Sequence, residues 1–186
     1  RPHTPTLLQL LLFIAKSVMS DIVTDDVIAD SVLSNLQSNG AFLCRGEDKS
    51  RLEQLIQNSQ GRLNTEIVGK SAERIAEMAG ITIPLGGVRA LVAKADGVGR
   101  EHPLSMEKLS PVLAFYTVAD WREGCRRCIE ILTFGGLGHT LGLHSNDDEV
   151  VRQFALQKPA GVHHLLVHSV RVPPVQNQLL DDLVLS

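Results

Sequence analysis

The stretch FGGLGHTLGLHSNDDEVVRQFA, residues 134–155, decides how this chain is read. It places four glycines in nine residues and then turns helical in pattern, with Val150, Val151, Phe154 and Ala155 at helical spacing behind Ser145, Asn146 and two aspartates. Glycine-rich turns that open helices bind phosphates, so a nucleotide loop is the first reading to test. A dinucleotide fingerprint needs G-x-G-x-x-G between a strand and a helix. Gly136 and Gly138 supply two of its positions, but Leu141 stands at the third. The order is also reversed: a helical stripe (Trp121, Cys125, Cys128, Ile129, Leu132, capped by Asp120) precedes the glycines, and the strand-like HTLGLHS follows them. No Gly-Lys-Ser/Thr follows, so the P-loop pattern fails too. Gly135 and Gly136 read instead as a helix C-terminus and a tight turn into a strand.

Working outward, helix–turn–strand–helix units recur. Thr24, Asp25 and Asp26 read as a helix start, with Thr24 as cap, Val27, Ile28, Val32, Leu33 and Leu36 as the apolar stripe, and Gly40 as stop. EDKSRLEQLIQNSQ repeats the pattern more weakly, and SAERIAEMAG repeats it with Ser71 as cap and Gly80 as stop. VRALVAK (88–94), PVLAFYTV (111–118) and HHLLVHSVRV (163–172) are β-branched and apolar runs of strand length. Such alternation predicts an α/β fold with a mostly parallel sheet and flanking helices. Between two of the strands, DGVGREHPLSMEKLS (96–110) has too many turn formers for regular structure, and long connections inside compact domains tend to carry function.

Composition narrows the partners. The 186 residues carry a net charge of −3 and only 4% aromatics, which leaves neither a basic footprint nor stacking platforms for nucleic acid. The apolar run LLQLLLFIAK (7–16) falls well short of the roughly 20 residues of a membrane span, and no small-x-small cleavage site follows it. Three cysteines form no secreted disulfide framework. Cys125 and Cys128 have zinc or redox spacing, yet no second ligand pair lies near, and both fall on an apolar helical stripe. His139 and His144 are five apart along a strand and so point to opposite faces, which prevents them from sharing an ion. His139 alone is compatible with a solvated or core role, or with a cleft. Spacing by itself yields no nucleophile, acid pair or metal set.

Three segments in order, VGKSAERIAEMAGITIP, DGVGREHPLSMEKLSPVLAFY and FGGLGHTLGLHSNDDEVVRQFA, closely resemble the CoA-acylating aldehyde dehydrogenases. That group includes acetaldehyde and succinate-semialdehyde dehydrogenases and the aldehyde half of bifunctional aldehyde/alcohol dehydrogenases. The resemblance spans about residues 20–161. It implies the catalytic domain of an enzyme in which a cysteine thiolate attacks an aldehyde, hydride passes to NAD, and coenzyme A takes the acyl group from sulfur. It implies a cytoplasmic homo-oligomer acting on a small aldehyde or acyl-CoA, with no nucleic acid or membrane partner.

By the same resemblance, Glu107 stands where the wider superfamily has a glutamate that accepts hydrogen bonds from the nicotinamide ribose. Leu109 takes the place of an aromatic beside the nicotinamide, and Pro111 pins the loop. Gly136, Gly138, His139 and Thr140 match a GG-x-GHT turn expected to line the substrate and CoA tunnel, with His139 a polar contact to acyl group or thiol. Phe13, in Phe13-Ile14-Ala15-Lys16, stands near the place of the nucleophilic cysteine, where relatives often read C-I-A-E-K. No segment for the family's N-terminal Rossmann domain is found, and the family's pattern is lost soon after Gly161. The expectation is therefore a partial catalytic domain over residues 1–172 with a tail over 173–186, inactive by itself. Two alternatives are a non-catalytic subunit of a complete enzyme and a free-standing CxxC module.

Overall fold

A computed structural model describes residues 10–16, 18–136, 140–145, 147–157 and 164–168. The elements run β1 (Leu10–Lys16), β2 (Val18–Asp25), α1 (Asp26–Ser38), β3 (Ala41–Cys44), α2 (Glu47–Ile56), α3 (Ala72–Ala79), β4 (Ala90–Lys94), β5 (Val112–Val118), α4 (Trp121–Gly135), β6 (Thr140–Ser145), α5 (Asp148–Gln157) and β7 (His164–His168). Short 3-10 turns at Thr65–Ile67 and Pro103–Ser105 interrupt the connections. The strands form one sheet in the order β3-β4-β5-β2-β1-β6-β7. Pairing is parallel except on the two sides of β1, so the mostly parallel α/β expectation holds.

Parallel strands buried on both faces read as nearly continuous apolar runs, and β5 obeys this. Alternate residues on β5 feed opposite layers. Val112, Ala114, Tyr116 and Val118 join the core beneath α2, α3 and α4, whereas Leu113 and Phe115 join Ile22 beneath α1. The helices are bounded as their sequences dictate. Ser71 Oγ accepts from the Arg74 amide, and α3 ends on Gly80 in the left-handed region at φ 66°. Asp120 Oδ1 accepts from the Glu123 amide at 2.8 Å to start α4, and Asp147 Oδ1 accepts from Glu149 and Val150 to start α5.

Three sequence expectations are corrected. Thr24 does not cap α1: β2 runs on to Asp25, whose Oδ1 accepts from the Val27 amide at 3.0 Å. Val27 is 64% exposed, because Ala29, Leu33 and Leu36 set the buried face of α1. The run Leu7–Lys16, read as too short for a membrane span, supplies a strand from Leu10 onward, and no helix among the described residues is long and apolar enough to cross a membrane. Finally, the 96–110 connection contains one turn of regular structure at Pro103–Ser105.

Candidate active site

Strand direction gathers the candidate segments. β2, β5 and β6 run the same way and β1 runs against them. The starts of β2, β5 and β6 and the finish of β1 therefore lie at one end of the sheet. Ala114, Asp21, Ile14 and Leu141 form one row across the four strands. Three strand spacings separate β5 from β6, about 14 Å. The loop of Glu107, Leu109 and Pro111 enters β5 at this end, where β6 also begins at Thr140, four residues after Gly136. Gly136 has φ 109°, and its amide donates to Leu132 O, so the turn needs a glycine there. Gly138 and His139 lie outside the described residues. Phe13 sits on β1 between Ile22 of β2 and Gly142 of β6.

The loop before β5 is built around buried polar groups. Ser105 Oγ donates to His102 O at 2.7 Å and accepts from the Gly99 amide at 3.0 Å. The His102 ring lies so close to Gly97 that an added Cβ would meet it at 2.4 Å. Leu109 O accepts from the Gly69 amide at 2.9 Å, and Pro111 O from Leu91, which fixes the loop to the body. Burial then alternates: Met106, Lys108 and Ser110 point inward, Glu107 is half-buried, and Leu109 is 37% exposed with a left-handed φ of 48°. A non-glycine residue in that region costs roughly 1–2 kcal/mol, so the loop holds Leu109 there against its own preference.

Lys108 is the residue that sequence reasoning missed. Its side chain is fully buried, its ammonium donates to Leu104 O and to Met106 O at 2.9 Å, and Asp21 Oδ1 lies 4.0 Å away. Burial pushes the Lys108 ammonium below the usual lysine range, and the Asp21 and Glu107 carboxylates oppose that shift. Asp21 also accepts from Ser20 Oγ at 2.6 Å. The only signal in the sequence was a lysine inside a loop, which resembles any solvated lysine. Its partner lies far back along the chain, in a strand whose polar residues hid it.

The three cysteines are all buried and all harder to ionise than an ordinary thiol. Cys44 is pushed up to about 12, first by burial and then by the Asp48 carboxylate. Burial raises Cys125, against Arg126, and raises Cys128 well above the ordinary value, with Cys125 and Asp21 adding to the effect. Cys125 Sγ donates to Gln157 Oε1 at 3.5 Å. Cys125 and Cys128 thus pack in the core on α4, and among the described residues no group of three His, Cys, Asp or Glu is placed to hold a metal. A shallow depression of about 460 Å³ lies over α2 between Ser50, Glu53, Gln57, Asn58 and Pro103, and it is lined by none of the candidate residues.

No protein-family model matches the chain. Among curated proteins it is 33% identical over 141 residues to an aldehyde-alcohol dehydrogenase of Streptococcus pneumoniae, covering 72% of this chain and 16% of that protein. It is 32% identical over 123 residues to the acetylating succinate-semialdehyde dehydrogenase of Clostridium kluyveri, covering 66% and 27%. Among solved structures, it superposes on an acetylating aldehyde dehydrogenase from Geobacillus thermoglucosidasius with TM-score 0.74 and 40% identity, covering 80% of this chain and 32% of that one. A propionaldehyde dehydrogenase from Rhodopseudomonas palustris, solved with bound propionyl-CoA, superposes with TM-score 0.67 at 25% identity over 80% and 31%. The chain spans about a sixth to a third of the length of these proteins.

Proposed function

Given that this chain belongs, over the segment it spans, to the CoA-acylating aldehyde dehydrogenases, we propose that it forms the wall of the catalytic domain that meets the nicotinamide end of a dinucleotide and the acyl group carried to coenzyme A. When bound, the dinucleotide supplies the hydride acceptor. The observation that carries the reading is the loop before β5. It presents a half-buried carboxylate, Glu107, beside an exposed apolar side chain, Leu109, with both flanking residues anchored inward. A fixed carboxylate next to an apolar surface suits a ribose diol joined to a flat ring.

In this reading Glu107 accepts hydrogen bonds from the ribose hydroxyls, and Leu109 packs against the ring and excludes water from it. Pro111 sets the entry into β5. The resemblance assigns Gly136, Gly138, His139 and Thr140 to the lining of the substrate and coenzyme A tunnel, with His139 a polar contact to the acyl group or thiol. Cys44, Cys125 and Cys128 are not the nucleophile, since each is buried and burial makes each harder to ionise than an ordinary thiol. With Phe13 near the position the family gives to its cysteine, the 186-residue chain by itself catalyses no acyl-CoA-dependent oxidation of NADH. The complete enzyme is a homo-oligomer that uses NAD and works in the cytoplasm on a small aldehyde.

Titration of the 15N-labelled chain with nicotinamide mononucleotide, which carries only ring and ribose, tests the assignment. Amide shifts should cluster at residues 106–111. Glu107→Gln should weaken binding about tenfold, the scale of one hydrogen bond to a charged group. Shifts that leave 106–111 unmoved would overturn it.

A further inference from the structure

We propose that Lys108 is a positioning residue for the nucleotide contact assigned to Glu107, turning that carboxylate outward by anchoring the loop from beneath. The inference rests on the reading of Glu107 made above. Lys108 is fully buried while Glu107 on one side is half-buried and Leu109 on the other is 37% exposed, so the pull that draws Lys108 inward leaves its two neighbours nearer the surface. The inward pull is specific: the ammonium gathers the carbonyls of Leu104 and Met106 and approaches the Asp21 carboxylate on β2. Two carbonyls accept from the ammonium, and the Asp21 carboxylate supplies an opposite charge 4.0 Å away. Asp21 is itself 3% exposed and fixed by Ser20 and by strand pairing with Ala114, so the anchor is attached to the central sheet.

A lysine used only for stability would be a poor choice here. Buried ion pairs add little over well-packed apolar residues of the same volume. Solvation would favour an outward lysine and an inward leucine, which is the reverse of what positions 108 and 109 show. The reversal leaves Leu109 exposed beside the half-buried Glu107. The same segment carries the left-handed φ of Leu109, after which Ser110 is buried again.

The test compares wild type with Lys108→Met, Asp21→Asn/Lys108→Met and Glu107→Gln, using amide hydrogen exchange and titration with nicotinamide mononucleotide. Lys108→Met should accelerate exchange over 104–111 and weaken nucleotide binding about tenfold, while amides of α3 and α5 keep wild-type protection. Should Lys108→Met unfold because Asp21 is left as an uncompensated charge, the double variant removes that charge and is judged by the same readings. Wild-type exchange over 104–111, or undiminished nucleotide binding, in whichever variant folds would overturn the anchor. Wild-type nucleotide affinity in Glu107→Gln would instead sink the assignment of Glu107, whatever Lys108 does to the loop.

Discussion

Alkylation of the native chain with iodoacetamide at pH 8 tests whether any of its own thiols can act as a nucleophile. Only thiolate reacts, so the rate scales with the ionised fraction. At an ordinary value of 9.0, about one thiol in ten is ionised at pH 8. With Cys44 pushed up to about 12, the fraction falls to roughly one in ten thousand, a slowing of about 1,000-fold before access is considered. Access slows it further, because Cys44 and Cys128 are each only 1% exposed and Cys125 only 3%. The assay is mass spectrometry of carbamidomethylated peptides over time, native against guanidinium-unfolded. All three cysteines should label within minutes when unfolded, and none should label at a comparable rate when folded. The linked pH effect has a definite sign. A thiol whose folded value is raised favours the folded state below the unfolded value, and that contribution drains away as pH rises from about 9 towards 12. The chain should therefore lose stability in mild alkali. One native thiol reacting as fast as a free thiol would refute the argument and restore that cysteine as a candidate nucleophile.

Tyr116→Phe should stabilise the fold by about 1 kcal/mol in urea titrations, because the Tyr116 hydroxyl is buried with no hydrogen-bond partner among the described residues. A loss of stability of that size would mean that the hydroxyl is bonded. Leu109→Gly should leave stability within about 1 kcal/mol of wild type, since relief of the left-handed backbone offsets the flexibility of glycine, yet nicotinamide mononucleotide should bind more weakly. Gly80→Ala should cost about 1 kcal/mol in the same titrations, because α3 ends there at φ 66° and Arg51 donates to its carbonyl at 2.6 Å.

What the sequence disclosed depended on how local the cause was. Caps at Ser71 and Asp120, the stop at Gly80 and the stripe of α4 are written within a few residues and were legible. So was β5, a nearly unbroken apolar run. β2 was not, because Ser20, Asp21, Thr24 and Asp25 are buried polar residues that break the apolar pattern. Thr24 then looked like a cap, when the strand continues through it to Asp25. β3 is only four residues long and passed unseen beside its helices. At the site, Glu107, Leu109 and Pro111 could be named by resemblance. Lys108, between them, draws its role from Asp21 across the sheet, a relation no window of sequence contains.

Where β2 finds its neighbours also bears on how the chain comes together. Its parallel partner β5 lies about 90 residues downstream, so that edge stays open until synthesis has passed Val118. Its antiparallel neighbour β1 adjoins it directly, and a hairpin of that kind closes in microseconds. The β1–β2 ribbon thus forms early with two bare edges, β2 waiting for β5 and β1 for β6. That interval, rather than any weakness of the finished sheet, is when the molecule is most exposed to association with its own copies.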